Sequence, residues 1–138
     1  MVNAEHLASH EEAFIIAFVR REKRGRFRAL LSDPRRRAKI LSTLAHQPPL
    51  DQRFMHPIDR SNHNPEAIEK LLRTKGARGT CDVLSEWALF DGLKLPLRSA
   101  LEHVVGAGMG TVISCISGRL AYYEGEDPGE RYILERAF

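Results

Sequence analysis

The stretch RREKRGRFRALLSDPRRRAK, residues 20–39, sets ten Lys or Arg side chains against only Glu22 and Asp33. Cations at that density create a field that attracts phosphates without base-specific contacts. Phe27, Leu30 and Leu31 keep the i, i+3, i+4 spacing of an inward helical stripe. The 3.6-residue period then puts Arg21, Arg24 and Arg28 on a different stripe. Arg35, Arg36 and Arg37 open the following helical segment, with Lys39 close behind. The candidate nucleic-acid or anion contacts are therefore Arg21, Arg24, Arg28, Arg35, Arg36, Arg37 and Lys39, with Arg20, Lys23 and Arg26 beside them and phosphate neutralisation as their role. An acidic protein would answer to the same field. The competing reading is a solvated surface whose long basic side chains cover apolar area with their stems.

A second group with chemical potential lies in the proline-broken stretch QPPLDQRFMHPIDRSNHN, which reads as a long loop over residues 47–63. Long loops often carry function. His56, Asp59 and His63, facing Asp82 or Glu86, would line a pocket between this loop and a sheet, as in a small enzyme or ligand-binding protein. No helical His-x-x-x-His with a third ligand occurs, nor a paired Cys-x-x-Cys, so neither a metal nor another cofactor is implied.

Three further suspects read as structure. In GAGMGT, residues 106–111, a helix precedes the glycines and a strand follows. Phosphate loops have the reverse order, so the expected role is a left-handed helix cap at Gly106 or Gly108. Cys81 and Cys115 lie in apolar strand patterns and read as small core residues. Ser85, beside Glu86 and Asp82, lacks the Gly-x-Ser-x-Gly setting of a nucleophile elbow. Strand alternation sends Tyr122 and Tyr123 to opposite faces, one packed and the other exposed, while Glu124, Glu126, Asp127 and Glu130 discourage phosphate at that end. No catalytic motif emerges. The reading that remains is a non-catalytic binding or interaction module contacting nucleic acid through a basic helical face.

The elements that must position these groups divide the chain into a helical half, residues 1–79, and a sheet half, residues 80–138. Ser9 and Glu12 have capping-box spacing ahead of AFIIAFV. Gly25 marks a bend, and Asp33-Pro34 suits the cap and first position of the next helix. Asn64-Pro65 opens another helix, which Gly76 stops. TCDVLSEWALF and LKLPL flank Asp91-Gly92, a two-residue hairpin signal. LRSALEHVVG reads as a short helix, and TVISCI, LAYYEGE and RYILERA as strands. The expectation is an α+β domain: three to four N-terminal helices packed on one face of a mostly antiparallel β-β-α-β-β-β sheet. The last strand offers an edge through which two copies would pair as an oligomeric or adaptor protein, although Arg131, Glu135 and Arg136 are charges that guard edges.

Bulk properties fit a single domain. The chain has 138 residues, with 43% hydrophobic and 28% charged, enough for a core without disulfides. Residues 1–80 carry 16 Lys or Arg against 9 Asp or Glu, whereas residues 81–138 carry 5 against 9. No run of roughly 18 apolar residues suits a bilayer, and the opening MVNAEHLASHEEAF shows no signal pattern, so a cytoplasmic protein without membrane contact is expected.

Overall fold

Adjacent Tyr122 and Tyr123 decide how the layers stack. Both side chains have 0% exposure, and neighbours in a strand point to opposite faces. Both faces of the sheet must therefore be covered, and the expectation of helices on one face is overturned. The computed structural model describes residues 7–137; His6 lies outside them. Its six strands are β1 (Met55–Pro57), β2 (Thr80–Ser85), β3 (Lys94–Pro96), β4 (Thr111–Ile116), β5 (Leu120–Glu124) and β6 (Arg131–Glu135). They form one antiparallel sheet in the order β1-β6-β5-β4-β2-β3. The helices are α1 (Ser9–Phe18), α2 (Arg24–Leu31), α3 (Arg37–Leu41), α4 (Pro65–Thr74) and α5 (Leu97–Val104). The fold is α+β.

Each face has its own core. On one, Phe14, Phe18, Phe27, Leu31 and Leu41 from α1–α3 pack on Leu84, Val112, Ala121, Tyr123 and Leu134. On the other, Ile68 and Leu72 of α4 and Leu97, Leu101 and Val104 of α5 pack on Val83, Ile113, Leu120, Tyr122 and Ile133. The helical half is thus split between two layers. The chain passes from one layer to the other through residues 45–64, and on the way it lays β1 against β6. The segment read as a featureless loop contains an edge strand.

That strand corrects another expectation. Met55, His56 and Pro57 pair with Leu134, Ile133 and Tyr132, so β6 is an interior strand and offers no free edge to a second copy. The true edges, β1 and β3, are three residues long, and each ends in a proline that lacks an N–H. Nor do Asp91 and Gly92 form a two-residue turn. Strand β2 stops at Ser85, and a broad loop, 86–93, precedes β3. Gly92 takes φ +80°, while Asp91 turns its carboxylate back to accept from the Ser85 N–H at 3.0 Å.

Local helix signals are shifted by a residue or more. Ala8 is the N-cap of α1, and its N–H donates to Glu11, which frees Glu12. The chain breaks at Val19, which is extended, rather than at Gly25, which lies within α2. Asp33 caps a turn by accepting from the Arg35 N–H at 2.9 Å, and α3 begins only at Arg37. Asn64 caps α4 as its sequence implies, accepting from the Ala67 N–H at 2.9 Å. Among the described residues no helix is long and apolar enough to cross a membrane.

The end of the α3 segment is pressed onto the sheet at Gly110. A Cβ there would lie 2.3 Å from Ala45 N and 2.4 Å from Leu44 C, so no side chain fits between the two backbones. Gly110→Ala should lower unfolding free energy in urea by about 3 kcal/mol, the upper range for overpacking. Gly25 has nothing within 4 Å of its missing Cβ and no positive φ, so Gly25→Ala should instead add about 0.5 kcal/mol in the same assay.

Candidate anion-binding cleft

The ten cations of residues 20–39 divide into committed and uncommitted groups. Arg37 is the most committed. Its Nε donates to Asp91 Oδ2 at 2.7 Å and its Nη2 to Oδ1 at 3.2 Å, while Nη1 and Nη2 reach Glu11. Burial works against its charge, yet the hydrogen bonds to Asp91 and Glu11 outweigh it and raise its pKa. Arg28 makes a fork on Glu12, with contacts of 2.8 and 2.7 Å that hold the Glu12 carboxyl below its usual range. Arg24 Nε donates to Val19 O at 2.9 Å. Arg36 and Arg20 have looser partners, Asp33 at 3.7 Å and Glu22 at 3.9 Å. Among the described residues Arg21, Lys23, Arg26, Arg35 and Lys39 have no ion pair and are exposed.

Arg20, Lys23 and Arg26 do not simply coat a helix: they line one wall of a cleft of about 600 Å³. The wall exists because α1 ends at Val19. There the chain runs extended and pairs with the passing 49–51 segment, Arg20 N–H donating to Pro49 O at 2.9 Å and Asp51 N–H to Phe18 O at 2.8 Å. A 3₁₀ turn, Arg21–Lys23, then leads into α2. The floor is core surface: Phe27, Ile40, Leu50 and Tyr123. Gln47, Pro48, Gln52, Met55 and Tyr132 are also in the lining. Glu130 is the one carboxylate of the lining, and its Oε1 accepts from the Asp127 N–H at 3.2 Å.

Gln47 takes φ +55°, the only positive φ among the described non-glycine residues. The left-handed conformation costs a residue with a Cβ about 1–2 kcal/mol, and the following proline restricts it further. It is held there by the pinning of the preceding residues. Tyr123 OH donates to Leu44 O, Glu126 N–H donates to Ala45 O at 2.8 Å, and His46 Nδ1 lies 2.7 Å from Glu126 Oε2. Strained residues that the surroundings over-determine concentrate at functional sites.

The other proposed pocket is not assembled. His56 is exposed on β1, at the opposite side of the sheet from Asp82 on β2; the four intervening strand spacings amount to roughly 19 Å. Asp59 accepts from the Ser61 hydroxyl at 2.6 Å, and His63 Nε2 lies 2.7 Å from Ile58 O. Asp82 pairs with Lys94 at 3.1 Å, and Glu86 accepts from the Gly110 N–H at 2.7 Å. Among the described residues no three His, Cys, Asp or Glu side chains gather where they would hold a metal ion. A pocket does form beside the long loop, but its loop residues are Gln47, Pro48, Pro49, Leu50, Gln52 and Met55 rather than the histidines.

The glycine loop binds an anion after all, and the anion is internal. Gly106 and Gly108, at φ +87° and +73°, each point an N–H at the Glu124 carboxylate, with distances of 3.1 Å. Tyr122 OH donates to the same carboxylate at 2.7 Å, and Arg131 Nε lies 3.4 Å away. Glu124, grouped by sequence with Glu126, Asp127 and Glu130 as acidic residues that discourage phosphate, has 0% exposure. The two amides that resemble a phosphate cradle are already filled.

Both thiols pack against the α4–α5 layer, and burial pushes each up to about 12. His103 approaches neither; its Nδ1 lies 2.8 Å from Ser99 O and its ring packs on Phe90. At pH 8 a thiol with a pKa of 12 is ionised to about one part in ten thousand. Ellman's reagent should therefore leave the folded protein unlabelled and titrate two thiols in guanidinium. Arg37→Ala strands Glu11, 5% exposed, beside Asp91, and should cost about 3 kcal/mol in urea unfolding. Arg35→Ala should change stability by less than about 0.5 kcal/mol. Equal effects would mean that Arg37 is not the structural tie described here. No family model, no curated protein and no solved structure matches the chain.

Proposed function

We propose that the protein is a non-catalytic binding module that grips nucleic acid at the cationic lip of this cleft. The observation that carries the reading is the gathering of Arg20, Lys23 and Arg26 on one wall, from a segment in which Arg28 and Arg37 are tied to carboxylates. Lys23 and Arg26, which have no ion pair, and Arg20, held only loosely by Glu22, focus their field into the cleft, and phosphate is the anion that such a field concentrates. Arg21, Arg35 and Lys39, exposed on the same 20–39 segment, extend it beyond the cleft. The rest of the lining is amide and apolar, a composition suited to recognition. Arg37, Arg28 and Arg24 support the lip instead of contacting the ligand.

The test is anisotropy of a labelled oligonucleotide over a salt series. Three phosphate contacts on a single strand imply a log K against log salt slope of about −2. The combined Arg20→Glu, Lys23→Glu, Arg26→Glu variant should weaken binding more than about tenfold at low salt with its circular dichroism unchanged. Charge reversal at Lys70 and Arg78, outside the 20–39 segment, should not. Binding that survives the triple reversal would remove the reading. Displacement by polyglutamate but not by nucleic acid would reassign the lip to an acidic protein.

A further inference from the structure

We infer that the cleft seats one unpaired nucleotide, its ring in the slot and its phosphate on the lip. The inference rests on the reading of the lip as a nucleic-acid grip and adds the strandedness of the ligand. The lining of the cleft combines two chemistries. Arg20, Lys23 and Arg26 match phosphate, whereas the part-exposed Pro48, Met55 and Tyr132 match an apolar or aromatic body. A duplex presents phosphates outward and keeps its rings stacked inside, so it would leave that slot empty. An extruded or single-stranded base fills it, and about 600 Å³ lies within the range of small-ligand sites.

The rest of the lining has the groups a base requires. Tyr132 stands in the lining, stacked on Tyr123 with ring centroids 6.1 Å apart and planes at 24°. A ring fixed in this way is a platform rather than a mobile side chain. Gln47 and Gln52 each offer an amide donor and acceptor, the pairing that reads the hydrogen-bonding edge of a base. The positive φ of Gln47, its one structural irregularity, sets that amide-bearing residue at the slot at an energetic cost. Glu130 is the only like charge that a phosphate would meet in the lining, against three cations.

The experiment compares a labelled single-stranded oligonucleotide with three competitors: its duplex, inorganic polyphosphate of equal charge, and nucleoside 5′-monophosphates. The expected result is single-strand binding at least about tenfold tighter than duplex or polyphosphate. Tyr132→Leu and, independently, Gln52→Ala at an exposed position should each narrow that preference while leaving polyphosphate affinity unchanged. The Gln52 variant keeps the test decisive if the tyrosine variant does not fold. Displacement by micromolar mononucleotide assigns the slot to a free nucleotide; resistance to millimolar mononucleotide assigns it to a nucleotide within a strand. Equal affinity for strand, duplex and polyphosphate, with both variants silent, overturns the inference and leaves the cationic lip standing. Absence of binding to every one of these polyanions at low salt overturns both.

Discussion

Two consecutive tyrosines in the centre of a sheet, both sealed from solvent, impose the rest of the architecture. Side chains of neighbouring residues leave a strand in opposite directions, so burying Tyr122 and Tyr123 together requires an apolar layer above and another below. Helices α1–α3 supply one layer and α4–α5 the other. A chain that must serve both layers has to cross the sheet, and residues 45–64 make that crossing. Strand β1, the Val19–Leu50 bridge and the cleft all arise along this passage.

Helices α1 and α3 are then tied to the loop between β2 and β3 by charge. Arg37 joins α3 to Glu11 of α1 and to Asp91 in the loop between β2 and β3. Three otherwise separate pieces meet on one guanidinium, whose planar fork binds two carboxylates at once. The charge asymmetry between the halves of the chain is thus partly an intramolecular attraction. What distinguishes Arg20, Lys23 and Arg26 from Arg37 and Arg28 is not residue type but where the fold happens to place carboxylates. Glu11, Glu12 and Asp91 neutralise one side of the basic segment and leave the cleft side positive.

Glu124 shows the same logic with the signs reversed. A carboxylate in the core is costly unless donors surround it. Backbone N–H groups of Gly106 and Gly108 and Tyr122 OH provide them, and the Arg131 guanidinium adds a counter-charge 3.4 Å away. The glycine loop after α5 is held against β5 by its own chain. Its positive-φ residues therefore serve packing, whereas the positive φ at Gln47 lies in the lining of an open cleft.

The α+β class, the cap at Asn64, helix α5 and strands β4 to β6 were legible in the sequence, because each depends on local periodicity and on turn or cap residues within a few positions. Alternation also stated correctly that Tyr122 and Tyr123 face opposite ways. Whether both are buried depends on which helices return to which face, and that is set by contacts between distant parts of the chain. The same holds for β1, three residues long and recognisable only by its partner β6, and for Asp91, which resembles a turn residue until Arg37 arrives 54 positions away. Of the candidate site, the basic composition of residues 20–39 was local information; the sorting of those cations into ties and a lip was not. Sequence determines how many charges a segment carries, and tertiary structure decides which of them remain unneutralised, because Coulomb attraction and burial act through space rather than along the chain.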